Sequence, residues 1–179
     1  MKIKKLLILG LLFLTSCEMD FDDRDHALYM INEINYKISN KTVKDKQLYL
    51  IGVGGSSMLG IDMRSLDFYY YRDEELKIEE ARKDIVEIVS KYLQEINQKK
   101  ELRPFLRNYP FTTKNVEIIF FVMTAKAGNV PDGALHIIEA MNGKISYYIA
   151  PFIPQRKPIL EETFEEAVQK VQALASKSE

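Results

Sequence analysis

One apolar stripe, between residues 78 and 98, constrains the fold more than any other feature of this sequence. Its members are Ile78, Ala81, Ile85, Ile88, Val89, Tyr92, Leu93 and Ile96. Residues three or four positions apart lie on the same face of an α-helix, and the opposite face here carries Glu, Arg, Lys and Asp. The segment is therefore predicted to be an amphipathic helix that packs its apolar face on a sheet.

The strands predicted around this helix form two groups. Before it, residues 47–53 and 61–71 are expected to pair as a hairpin, and the first of them is apolar on both sides, as in a strand covered on both faces. After it come 116–123, which is also apolar on both sides, and then 134–140 and 144–150. Asn142-Gly143 joins the last two and favours a type I′ turn, because both central residues of that turn need positive φ.

Two further helices complete the predicted order. Residues 26–39 carry apolar side chains at helical spacing, although part of this segment also alternates as a strand does. Residues 163–175 begin with Thr163 and Glu166 at the spacing of a capping box. Strands and helices are grouped rather than strictly alternating. This order predicts an α+β fold, with a mainly antiparallel sheet of about five strands backed by two or three helices on one face.

The amino-terminal segment has the parts of an export signal. Residues 1–5 contain three lysines, residues 6–14 are apolar, and small residues precede Cys17. The apolar run has nine residues, whereas a helix that spans a bilayer needs about 20. A signal peptide is therefore predicted here rather than a permanent transmembrane helix.

Leu14-Thr15-Ser16-Cys17 resembles the lipobox of bacterial lipoproteins, and this resemblance covers residues 1–17 only. It implies that the peptide bond before Cys17 is cut and that the Cys17 thiol is alkylated with diacylglycerol. The new amino group is often acylated as well, for example with palmitate. The implied partner is the lipid bilayer, on the extracytoplasmic side of a bacterial cell membrane. Because Glu18 and not Asp follows the cysteine, outer-membrane sorting is permitted if the cell is Gram-negative. The alternative is a chance thiol in a plain secretory signal.

These observations divide the chain into a lipoprotein signal peptide (1–16), an acidic tether (17–25) and a single α+β domain (26–179). Cys17 is the only cysteine, so no disulfide is available and the domain must be held together by packing. Loss of three lysines with the signal leaves 22 basic and 26 acidic side chains, a formal charge of −4. That charge argues against nucleic acid as a partner and against electrostatic attraction to anionic lipid headgroups.

Sequence motifs for cofactors, metals and catalysis are weak. The glycine-rich run at 52–60 resembles a phosphate loop, but a strand follows it and it contains no Lys. We predict a flexible hairpin loop, with an anion nest or a partner-contacting loop as alternatives. Clustered Cys and His are absent from the sequence, so we expect no metal and no cofactor. His136 lies by itself on a predicted strand, and a Ser-His-Asp triad through it is a minor alternative.

The segment 103–111, between the main helix and the next strand, is the strongest candidate binding site. Two prolines stiffen it, and Arg103, Arg107 and Tyr109 alternate with Phe and Leu. Arg and Tyr are enriched in protein interfaces, and Arg binds carboxylates or phosphates through two parallel hydrogen bonds. In the alternative reading, the apolar side chains of the segment plug the end of the core and the arginines cap helix carbonyls.

Five tyrosines on the predicted strands offer a second surface. Tyr69, Tyr70 and Tyr71, with Tyr147 and Tyr148, are candidates for an aromatic face of the sheet. Strands favour Tyr in any case, so ordinary packing is the simpler interpretation.

Together these features indicate a lipid-anchored binding or assembly module of the cell envelope, with an envelope protein as partner, rather than an enzyme. One alternative is a binder of a small molecule or lipid, which predicts an apolar cavity between sheet and helices with Arg103 or Arg107 at its mouth. Another is an unrecognised hydrolase, which predicts His136 beside a Ser and an acidic residue.

Overall fold

Three α-helices, a 3₁₀ helix and six strands make up the part of the chain described by the computed structural model. That part comprises residues 21–41, 46–56, 60–126, 128–151 and 157–176, without the side chains of 21–24, 41 and 56. Cys17 and the predicted signal peptide lie outside it. In chain order the elements are α1 (Phe21–Lys41), β1 (Leu48–Ser56), β2 (Met63–Arg72), α2 (Ile78–Gln98), the 3₁₀ helix (Lys100–Phe105), β3 (Val116–Thr124), β4 (Leu135–Met141), β5 (Lys144–Ile149), β6 (Leu160–Thr163) and α3 (Phe164–Ala175).

The six strands form one sheet in which they are ordered as in the chain, from β1 to β6. Neighbouring strands are antiparallel except β2 and β3, which are parallel because α2 crosses over between them. The predicted α+β fold with a mainly antiparallel sheet is confirmed. The additional strand is β6, which has four residues and so is too short to show a detectable alternation in the sequence.

All three α-helices back the same face of the sheet. Along β2 and β3 every second side chain is buried, as at Leu66, Phe68 and Phe120, and these pack in one core with the apolar stripe of α2. Alternate side chains of a strand point to opposite faces, so the positions between them face away from the helices.

Local sequence signals place several element ends correctly. The predicted bounds of α2 agree with the structure at both ends, and its stripe is buried apart from the partly buried Ile78 and Leu93. The capping box at the start of α3 is present. Asn142 and Gly143 have φ of 53° and 78°, as the predicted turn requires. However, α1 begins at Phe21, inside the stretch predicted to be a tether.

The prediction that the first strand is covered on both faces is wrong. β1 is an edge strand, and Tyr49, Ile51 and Val53 are 58%, 46% and 52% exposed. Its register slips between Leu50 and Gly52, which marks a bulge. A run of apolar residues has the same pattern whether both faces are covered or an edge is left open, so periodicity did not distinguish these cases.

A buried carboxylate joins β6 to the helices. Glu162 accepts hydrogen bonds from Arg82 Nε at 2.7 Å, from the Tyr147 hydroxyl at 2.7 Å and from Lys170 Nζ at 2.6 Å. Both Glu162 and Arg82 are buried, at 4% and 6% exposure. Burial opposes ionisation, but the hydrogen bonds from Arg82, Lys170 and Tyr147 outweigh it and lower the pKa of Glu162. This network ties the short last strand to α2 and α3.

Candidate functional site

The face of the sheet opposite the helices is the most distinctive surface of the molecule, and we call it the open face. No helix of the described residues covers it. It includes Tyr49 on β1, Asp67, Tyr69 and Tyr71 on β2, Glu117, Ile119, Phe121 and Met123 on β3, Ile137 and Glu139 on β4, Lys144, Ser146 and Tyr148 on β5, and Glu161 on β6. These side chains share one side because directly paired residues point the same way.

Aromatic rings cross three strands of the open face in a continuous row. The ring of Tyr49 lies 5.4 Å from that of Tyr71, Tyr71 lies 6.0 Å from Tyr69, and Tyr69 lies 6.3 Å from Phe121. All three pairs are edge-to-face, the geometry that the ring quadrupole favours. Tyr69, Tyr71 and Phe121 are only half-buried, so the row offers a preformed apolar surface to a partner.

Three carboxylates stand beside this row on the central strands. They are Asp67, Glu117 and Glu139, and none forms an ion pair with a described residue. Oδ1 of Asp67 is buried and has no hydrogen-bond partner among the described residues. Burial, and then the charges of Glu139 and Asp67, raise the pKa of Glu117. These three carboxylates thus lie close together without a cation from the described residues.

Gly52 on the neighbouring strand allows Asp67 to occupy this position. A Cβ at Gly52 would lie 2.9 Å from Oδ2 of Asp67, closer than real Cβ contacts allow. The carboxylate therefore lies directly against the backbone of β1. A side chain at position 52 would force Asp67 to move.

The predicted tyrosine surface divides between the two faces. Tyr70 and Tyr147 are buried on the helix side, at 1% and 0% exposure. Tyr69, Tyr71 and Tyr148 lie on the open face. Tyr49, Phe121 and the three carboxylates were not predicted as site residues from the sequence. Alternation along β2 and β3 was the signal that would have grouped them, once the covered side was known.

The candidate binding residues Arg103, Arg107 and Tyr109 lie at one end of the sheet, on an exposed surface. Cζ of Arg103 lies 4.6 Å from the centre of the Tyr109 ring. Nη1 of Arg107 lies 3.1 Å from Oδ2 of Asp62. The structure thus brings Arg103 and Tyr109 together and engages Arg107 with a carboxylate of its own chain.

Apolar side chains of the same segment close the end of the core. Leu106 and Phe111 are buried, and Phe105 is half-buried. Backbone hydrogen bonds join residue 61 to residues 105 and 107, at 2.7 and 3.1 Å, and hold the segment beside the start of β2. The backbone carbonyl of Asn97, near the end of α2, accepts a hydrogen bond from the Tyr109 hydroxyl at 3.4 Å. The residue that caps this helix carbonyl is thus a tyrosine and not one of the predicted arginines. The core-plug interpretation is correct for these apolar residues.

A crevice of about 500 Å³ opens where the two parallel strands end. It lies between the connection from β2 to α2 and the loop before β4, and its lining includes Arg72, Glu75, Val122, Val130 and Asp132. Arg72 is held by Glu80 at 2.7 Å. β2 has ten residues and is therefore about 30 Å long, so this crevice lies far from Asp62 and its partner Arg107.

His136 lies on β4 where the register with β5 shifts between Leu135 and Ile137. Burial lowers its pKa, which favours the neutral imidazole. Across the described residues no group of three or more His, Cys, Asp or Glu is placed to hold a metal ion. No helix in the described ranges is long and apolar enough to cross a membrane.

Comparison with known proteins yields no relative for this chain. No protein-family model, curated protein or solved structure shows significant similarity to the chain.

Proposed function

We propose that the mature protein is a lipid-anchored docking module of the bacterial cell envelope. In this proposal the open face binds a protein partner that presents Lys or Arg beside apolar side chains. The observation that carries the proposal is the aromatic row standing next to three carboxylates that lack a cation in the described part of the chain. Cys17 supplies the membrane anchor, on the strength of its resemblance to a lipobox.

Charge complementarity selects this partner over three others. A second copy docked face to face would set the same carboxylates against each other, which is repulsive. Anionic headgroups and nucleic acid would meet like charge on the same surface. A basic, partly apolar protein surface satisfies the carboxylates and covers the rings at once. Aromatic side chains are the residues that most often dominate interface energies.

A site-specific photo-crosslinker tests which surface docks. The crosslinking amino acid replaces Tyr69 on the open face or, as a matched control, Lys83 on the exposed side of α2, in the full chain in living cells. We expect a crosslinked protein from position 69 only. Mass spectrometry should map the crosslink to a partner peptide that contains Lys or Arg next to apolar residues.

Charge-neutral variants make this test specific. Asp67→Asn, Glu117→Gln and Glu139→Gln together should abolish the product, whereas Arg103→Ala with Arg107→Ala should leave it unchanged. Thermal melts followed by circular dichroism verify that each variant is folded. A product that survives the triple variant contradicts the proposal. A product lost only in the double arginine variant would move the docking site to residues 103–111.

A small molecule is the second candidate ligand, because the crevice has a volume typical of ligand sites. Acidic side chains at its rim, Asp73 and Glu74 among them, favour a cationic ligand over an anionic one. Native mass spectrometry of the purified full chain should then reveal a bound small molecule. Ala134→Phe, which adds bulk to the lining, should remove it, while Ala173→Phe on the exposed side of α3 should not.

A further inference from the structure

One arginine is buried on the helix side of the sheet without a counter-charge from the described part of the chain. Arg64, the second residue of β2, is 8% exposed and alternates with the core residues Leu66 and Phe68. It forms no ion pair with any residue that the structure describes. Its Nε is buried and has no hydrogen-bond partner there. A buried guanidinium in this condition is unusual, since buried charges are normally paired.

A second unsatisfied donor lies on the same side of the sheet. The Tyr92 hydroxyl donates to Oδ1 of Asn35 at 2.9 Å, and Nδ2 of Asn35 is buried with no partner in the described residues. Burial raises the pKa of Tyr92 to about 12, and the nearby charge and hydrogen bond of Arg64 oppose this rise. Arg64 and Asn35 thus lie on either side of Tyr92, and each has one buried donor, Nε and Nδ2, without a partner among the described residues.

The backbone of the β1–β2 hairpin lies against this cluster. Gly55 pairs with Arg64 and has φ of 146°, a conformation that favours glycine. A Cβ at Gly55 would lie 2.3 Å from the Met63 carbonyl oxygen and 3.0 Å from Nη1 of Arg64. Gly55 itself is exposed, so the guanidinium adjoins a stretch of chain that solvent reaches.

A comparison within the molecule shows what Arg64 lacks. Arg82 is buried to the same degree, at 6% exposure, and it has Glu162 at 2.7 Å. Both arginines lie near a buried tyrosine, so the carboxylate is the difference between them. An oxyanion beside Arg64 would supply acceptors for the guanidinium and for the Asn35 amide together.

We propose that Arg64 and Asn35, linked by Tyr92, form a buried binding site for one small oxyanion, a carboxylate or a phosphate group. The site lies between the sheet and the helices and is independent of the open face. The donors of this site match a carboxylate or phosphate group. The Arg64 guanidinium offers a planar fork of N–H groups, and the Asn35 amide offers a further N–H. The oxyanion stabilises the folded chain because it binds only where these donors are brought together.

Thermal unfolding of the purified full chain in detergent tests the site. The Tm is measured at pH 7 in sodium phosphate, sodium acetate and sodium chloride at equal ionic strength. Phosphate or acetate should raise the Tm relative to chloride, by about 5–10 °C at a hundredfold excess over Kd. Whichever anion has the larger effect identifies the phosphate or the carboxylate as the preferred group.

Two matched variants separate a binding role from a structural one. Arg64→Met removes the unpaired charge but keeps the length of the side chain, so without the anion its Tm should lie within about 3 °C of wild type or above it. Its response to phosphate and acetate should be lost. Arg82→Met breaks an existing pair, so its Tm should fall by about 10 °C while its response to the anion persists. Asn35→Leu should weaken that response.

Three results would overturn the site. The first is a wild-type Tm that is the same in phosphate, acetate and chloride. The second is an Arg64→Met variant that responds to the anions as wild type does. The third is an Arg64→Met variant as unstable as Arg82→Met, which would show that Arg64 has a structural partner already.

Discussion

At the level of single side chains, Glu162 and its neighbour Glu161 show how burial changes the value of the same ion pair. They are adjacent in β6 but point to opposite faces of the sheet. Glu161 pairs with Lys144 in solvent, whereas Glu162 is buried between Arg82, Tyr147 and Lys170. Solvent screens the exposed pair of Glu161 with Lys144, so that pair contributes little to stability. The pair of Glu162 with Arg82 is shielded from solvent, so loss of one partner leaves the other charge buried and unpaired.

We therefore expect Glu162→Gln to reduce the free energy of unfolding by about 3–5 kcal/mol, because it leaves Arg82 buried without a charge partner. Urea denaturation measures this loss, and Glu161→Gln is the control that should change little. The pKa of Glu162 is lowered, so its contribution is present above its ordinary value of 4.5 and disappears as pH falls through the lowered pKa. An equal loss in both variants would contradict the argument.

Glu117 should affect the pH dependence of stability in the opposite direction. Its pKa is raised above 4.5, so the folded state holds the proton more tightly than the unfolded state does. Wild type should lose stability as pH rises from 4.5 through that raised pKa, and Glu117→Gln should not. The Tm of the variant should exceed that of wild type by about 1–2 °C at pH 7 and match it below pH 4.5. A constant Tm difference at all pH values would exclude titration of Glu117 as the cause.

Among the secondary-structure elements, α3 depends on Thr163, the residue that caps its amino terminus. The Thr163 hydroxyl accepts a hydrogen bond from the Glu166 amide at 3.1 Å, and the Glu166 carboxylate accepts one from the Thr163 amide at 2.8 Å. Thr163→Ala should reduce the free energy of unfolding by about 1 kcal/mol, measured by urea denaturation. Ser176→Ala at the other end of α3 is the control, because its exposed hydroxyl donates to the Ala173 carbonyl and not to the amide groups at the start of the helix. A loss of the same size in the control would show that the cap is not responsible.

The elements also show which sequence signals are reliable. The bounds of α2 and the turn at Asn142-Gly143 were predicted correctly, because helical spacing and positive φ are local requirements. The exposure of β1 was not, since it depends on β1 lying at the edge of the sheet. β6 was missed because four residues are too few for a periodic pattern.

For the whole molecule, the main prediction is that a lipid on Cys17 attaches the protein to the membrane. If Cys17 carries diacylglycerol, Cys17→Ser should move the chain from the membrane fraction to the soluble extracytoplasmic fraction, because one thioether-linked lipid supplies the attachment. Metabolic labelling with an alkyne-tagged palmitate should mark wild type and not the variant. Retention of Cys17→Ser in the membrane fraction would show that the protein is held there in another way.

The candidate sites were less accessible from the sequence than the fold. Arg103, Arg107 and Tyr109 could be singled out because they lie in one short segment. Asp67, Glu117 and Glu139 lie on three strands, and they meet only because β2, β3 and β4 are neighbours. Arg64 and Asn35 both lie beside Tyr92 only because α1, β2 and α2 pack in one core. The spacing of these residues in the sequence does not show that either set lies close together in the fold.

The sequence alone determined the bounds of α2, the capping box of α3 and the type of turn between β4 and β5. It also contains the motif at residues 14–17 that resembles a lipobox. Each of these depends on residues within a few positions of one another, so the sequence is enough. Tertiary structure determined the pairing of β2 with β3, which face of the sheet the helices leave open, and the charge on that face. It also determined that Arg64 is buried without an ion-pair partner among the described residues. They depend on contacts between distant residues, which form only when the apolar stripe of α2 packs on the sheet.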